Sequence, residues 1–175
     1  MDTVYNVKYV DAHYTYISNI DATRLPSQEA YGYVEKSGNS IIICFIKKKG
    51  THVSELIRNK ETMIKGLIIP DTALSSVARD YPINRLLKSV ETGMSVTVAW
   101  RDVRYIANLP IYECAVMQTV GELFRVEKDH IVIRDPKTVR TYPEPSVEHP
   151  QGARPTYLLV PNAFIKSVVQ NEPSI

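Results

Sequence analysis

The chain has 175 residues, 44% hydrophobic and 23% charged, and a formal net charge of +2 at neutral pH. That apolar share supports a real core, and no run approaches the roughly 18 apolar residues of a membrane-spanning helix. So mild a charge gives no ground for a strong electrostatic claim on nucleic acid or a membrane surface. The start, MDTVYNV, lacks a basic region followed by an apolar core, so no secretory signal is expected and the expected compartment is the cytoplasm.

In chain order, VKYVDA predicts a short strand, followed by a polar and aromatic stretch. AYGYVEK and SIIICFIK predict two strands joined through SGN, a turn composition suited to a tight hairpin. After KKKG and a longer connection, KGLIIP predicts a strand and SSVA a last short one. RDYPINRLLKSVETG is expected to be a linker with one helical turn from Ile83 to Val90. The succession then recurs. SVTVAWRDV is a strand, and AVMQTVGELFRVE and HIVIRD form a hairpin about Lys128 and Asp129. A connection with Pro143, Pro145, Pro150 and Pro155, which keep it extended, leads to TYLLVP and KSVV.

Landmarks recur at a nearly constant offset. Asp11 and Asp102, Pro70 and Pro161, Leu74 and Ile165, and Val77 and Val168 are each 91 positions apart. Gly32 and Gly121 are 89 apart, and Ile41 and Ile43 lie 90 before Ile131 and Ile133. The drift is confined to loops, where insertions are tolerated. An internal duplication is therefore expected. The fold class it predicts is all-β, with two tandem five-stranded small β-barrels and short 3₁₀ or helical turns. The first barrel is expected over 1–79, a linker over 80–95 and the second barrel over 96–175. Each Pro ends a strand, because it cannot donate to the ladder, and its fixed φ suits entry to a single 3₁₀ turn.

IPDTALSSV and VPNAFIKSV resemble the segment of SH3-like and Sm-like small barrels in which a Pro-initiated 3₁₀ turn separates the last two strands. The second half is similar, more narrowly, to small uncharacterised barrel proteins of tailed bacteriophages. The matching residues are Trp100, Asp102, Thr119, Val120, Gly121, Ile131 to Ile133, Val160 and Pro161, and Tyr9 replaces the Trp in the first half. The resemblance implies a phage-encoded protein, acting in the host cytoplasm or incorporated in a virus particle, and brings no established activity. It implies a framework role for Asp11, Gly32, Pro70, Trp100, Asp102, Gly121 and Pro161.

Chemical motifs are few. The seven glycines are isolated, so no phosphate loop forms, and no GxSxG, HExxH or paired CxxC occurs. His13, His52, His130 and His149 lack metal-ligand spacing and are expected in solvent or capping turns. Cys44 and Cys114 stand in apolar runs, as buried small hydrophobes do. Asp11 and Asp102, each at a strand end, are expected to tie down loop N–H groups. The candidate contacts to nucleic acid or a partner are Lys47, Lys48 and Lys49 after one strand, and Arg134, Lys137, Arg140 and Tyr142 after its counterpart. The expected function is a non-enzymatic interaction or assembly protein with a protein partner or self-association, no cofactor and no metal. The alternatives are a nucleic-acid-binding tandem barrel and a protein that sequesters a small ligand in a Tyr-lined pocket.

Overall fold

Two kinds of strand follow from two kinds of apolar pattern. Where apolar and polar residues alternate, one face is buried, as in β1 (Val4–Val10), with Val7 and Tyr9 inward and Asn6 and Lys8 outward. Where the apolar run is continuous, every residue is covered, as in β4 (Ser40–Cys44), β5 (Gly66–Pro70) and β10 (Tyr157–Pro161). The remaining elements are β2 (His13–Thr15), β3 (Ser27–Ser37), a 3₁₀ turn (Asp71–Ala73), α1 (Ser75–Ala78), β6 (Ser95–Asp102), β7 (Arg104–Ile106), β8 (Ala115–Val126), β9 (His130–Tyr142), a second 3₁₀ turn (Asn162–Phe164) and β11 (Ile165–Gln170). These come from a computed structural model that describes residues 3–16, 24–44, 66–82, 87, 89–106, 114–142 and 155–172.

The strands form two antiparallel sheets, ordered β1-β3-β4-β5-β7 and β11-β6-β8-β9-β10-β2. The chain is all-β in character, with α1 a single helical turn. Neither sheet is composed of one half alone. β2, from the first half, pairs with β10, and β7, from the second, pairs with β5. One apolar core joins the halves, with Val7, Val10, Ile43 and Ile69 in the same cluster as Val98, Trp100, Ile133, Leu158 and Phe164. A smaller cluster on the other face of the second sheet holds Val132, Tyr157 and Leu159 under Leu25, a residue of the first half.

Residues about 90 positions apart in the sequence meet similar surroundings. The backbone N–H groups of Asp71 and Asn162, each following a strand-ending Pro, donate to Asn39 O and Asp129 O at the two hairpin tips, both at 2.9 Å. A Cβ on Gly32 would lie 2.2 Å from Cys44 O, and one on Gly121 would lie 2.4 Å from Ile133 Cγ2 and 2.8 Å from Arg134 O. Both glycines therefore allow a close approach of neighbouring strands. The hairpins fall where expected: Gly38, at φ 56°, turns β3 into β4, and Glu127 N–H donates to His130 O across Lys128 and Asp129.

Two expectations are corrected. SSVA is α1 rather than a strand. Leu74 makes one isolated bridge to Tyr9, and Val77 N–H and Ala78 N–H then fold back onto Leu74 O, burying Ala78. The strand that begins at HIVIRD continues to Tyr142, past the expected start of the connection, because a bulge at Asp135 (φ 50°) resets its pairing with β8. The expected helical turn over 83–90 lies mostly outside the described residues. Leu87 and Val90 pack on the core, and Val90 N–H donates to Leu87 O.

Candidate functional site

The sheets exchange strands at two short crossovers. After β1 the chain passes through Asp11 and Ala12 into β2 of the other sheet. After β6 it passes through Val103 into β7 of the first. Asp11 and Asp102 sit at these two points, partly buried, and their carboxyl groups hydrogen-bond each other. Each also accepts the next N–H of its own crossover, Ala12 N–H on Asp11 Oδ1 and Val103 N–H on Asp102 Oδ1, both at 2.8 Å. Elsewhere, Thr72 Oγ1 donates to Ala163 O at 2.7 Å, another contact between residues 91 positions apart.

Burial dominates the electrostatics of this pair. It pushes Asp11 up to about 6, with the hydrogen bonds from Ala12 and Asp102 opposing the shift. Asp102 is raised well above the ordinary carboxylate range, first by burial and then by the charge of Asp11. A hydrogen bond between two carboxyl groups requires a proton on one of them, so the pair shares a proton where an isolated aspartate would be ionised. The Tyr14 hydroxyl, also raised by burial, lies within the field of Asp102 and is 3.2 Å from Thr138 Oγ1. Thr138 Oγ1 is 3.4 Å from Thr119 Oγ1, which accepts the buried indole N–H of Trp100 at 3.1 Å. Hydroxyl contacts thus run from Trp100 on β6 through Thr119 on β8 and Thr138 on β9 to Tyr14 on β2.

Of the candidate partner contacts, Lys47, Lys48 and Lys49 lie outside the described residues. Arg134, Lys137, Arg140 and Tyr142 lie on β9 itself, Arg134 opposite Glu122 and Arg140 opposite Gln118. The Arg134 guanidinium is already engaged, bonding Glu122 through Nε (2.6 Å) and Nη2 and lying 5.1 Å from the Phe124 ring centroid. Lys137 is exposed. Among the described residues, no group of three or more His, Cys, Asp or Glu is placed to hold a metal ion. His130 is buried in the second hairpin with Nδ1 2.5 Å from Asp129 Oδ1, while His13 is exposed. Cys44 and Cys114 are free, buried thiols, both pushed up to about 11, chiefly by burial.

The outer edges of β1 and β6 differ. In the second sheet, β11 lies along β6 from Val96 to Trp100. In the first, β1 has on that side only the Tyr9–Leu74 bridge among the described residues, since α1 stands where a strand corresponding to β11 would begin. Tyr5 and Val96 hold corresponding places, yet Val96 is fully buried and Tyr5 is 54% exposed. Val4, on the same strand, and Val77, on α1, are also exposed.

The chain matches no known family model, no curated protein and no solved structure. Sequence reasoning placed Asp11 and Asp102 at strand ends and expected each to accept backbone N–H groups of a long loop. The structure gives each the N–H of the next residue in a short crossover, and sequence reasoning missed that the two aspartates meet. The available signal was their spacing of 91, the same as that of the Pro residues. β2 and β7 were missed because a three-residue strand is too short to show a period.

Proposed function

We propose that this chain is a non-enzymatic interaction and assembly protein that accepts an extended segment of a protein partner along β1. The inequality of two equivalent edges carries the reading: Val96 is covered beside β11, while Tyr5 stands open. An unpaired edge offers a row of N–H and C=O groups, and an added strand gains main-chain hydrogen bonds there and seats alternate side chains. β11 supplies the form of the occupant, an antiparallel strand of six residues with Ile165 and Val168 turned to the core. The same correspondence supports descent of the halves from one SH3-like small barrel. β11, the last strand of the second half, returns beside β6, its first, as closing such a barrel requires. A phage origin rests on the sequence resemblance alone.

Binding of a labelled peptide with the sequence of Ile165–Gln170, followed by fluorescence anisotropy, tests this reading. The expected result is saturable binding that slows amide exchange along Val4–Lys8 and weakens at least about tenfold in Tyr5→Lys, a charge on an edge strand being a standard barrier to strand addition. A wild-type chain that ignores the peptide and stays strictly monomeric by light scattering at micromolar concentration overturns it. Nucleic-acid binding has less support, since Arg134 is committed to Glu122 and Phe124.

A further inference from the structure

The crossover pair serves no part of the strand-addition reading and supports an inference independent of it. Four observations converge on one place: both chain paths change sheets there, one carboxyl group stands on each path, the two are hydrogen-bonded, and each anchors the backbone of its own crossover. We propose that Asp11 and Asp102 form a pH-dependent clasp on the strand exchange, holding the crossovers together while the pair is protonated and driving them apart as it ionises. The group that changes state is the pair, so the titration belongs to both residues.

The surroundings leave the pair as the responsive element. From β2, Tyr14 faces Asp102, with Tyr16 contributing to the field at Tyr14. From the stretch before β8, Cys114 feels Asp102 together with Arg101 and Asp71. Tyr14 and Cys114 are both shifted upward, so they stay neutral where the carboxyl groups titrate. Arg101 is the cation beside Asp102 in sequence, and its buried Nε has no hydrogen-bond partner. It therefore holds neither carboxylate by a hydrogen bond from that nitrogen.

The sign of the effect follows from linkage. Both carboxyl groups titrate higher in the folded chain than in the unfolded one, so the folded chain holds more protons above the ordinary value of 3.8. The stabilisation is complete below that value and is lost as pH rises through about 6 and beyond. The strands that depend on the crossovers, β2 and β7, should loosen first, being three residues each and at sheet edges.

Native-state amide exchange of β2 and β7, corrected for intrinsic rate and compared at pH 5 and pH 8, tests the clasp. Wild type should lose about tenfold or more of its protection at pH 8, one pKa unit corresponding to a factor of ten. In Asp102→Asn the amide can donate permanently to Asp11 while its Oδ1 still accepts Val103 N–H, so the loss should fall to less than about threefold. Asp11→Asn should behave alike and serves if the first variant does not fold. Wild-type protection that is level or rises with pH overturns the proposal, as does an undiminished loss in whichever variant folds. Failure here leaves the edge of β1 untouched, and failure of the peptide experiment leaves the clasp untouched.

Discussion

Trp100, Thr119 and Gly32 show how much single atoms decide here. Trp100 is fully buried, and its indole N–H has Thr119 Oγ1 as acceptor, itself in a fully buried residue. Thr119→Val keeps the shape and removes the oxygen, leaving a buried donor without a partner. The expected cost is about 1–3 kcal/mol, read by urea denaturation. Gly32 is a matter of space, because a Cβ there would overlap Cys44 O and force β3 from β4. Gly32→Ala should therefore lower the denaturation midpoint by more than Gly38→Ala. The latter has open space around it and bears only the left-handed φ of 56°, worth about 1–2 kcal/mol for an L-residue. Equal losses in the two variants would remove the close-approach argument.

At the scale of elements, the same sequence signals produced both correct and incorrect expectations. The continuous runs SIIIC, GLIIP and YLLVP are legible because burial on both faces requires an unbroken apolar stretch. The hairpins are legible from SGN and from Lys128-Asp129, since short turns constrain residue type. SSVA reads as a strand by analogy with KSVV, yet it coils, because after Leu74 no further pairing with β1 holds it extended. That local change leaves β1, among the described residues, with no strand along its outer edge, and the proposed partner site lies there. The basic residues of HIVIRDPKTVR looked like a loop cluster. On β9 they are separated by pairing geometry, and the neighbours Glu122 and Phe124 on β8 take up Arg134.

For the whole molecule, the shared core and the exchanged strands tie the halves into one cooperative unit. Segment 1–79 on its own lacks β7 and exposes the inward faces of Val7, Ile43 and Ile69. Segment 96–175 lacks β2 and the Leu25 cover over Val132, Tyr157 and Leu159. A single thermal transition is expected for the full chain, with neither segment folding alone by circular dichroism and amide dispersion. Two separate transitions, or a segment with a native-like spectrum, would show that the exchange contributes little.

What the sequence by itself determined is local and periodic: the all-β class, most strands, both hairpins, the strand-ending Pro residues and the 91-position spacing of several landmark residues. These depend on residue type, turn chemistry and alternation, all properties of neighbours along the chain. Only the tertiary structure decided which sheet β2 and β7 join, that Asp11 meets Asp102, and that among the described residues the outer edge of β1 has only the Tyr9–Leu74 bridge while that of β6 is filled by β11. Such choices depend on contacts between residues far apart in the chain, where three-residue strands carry no period and a carboxyl group carries no mark of what will face it.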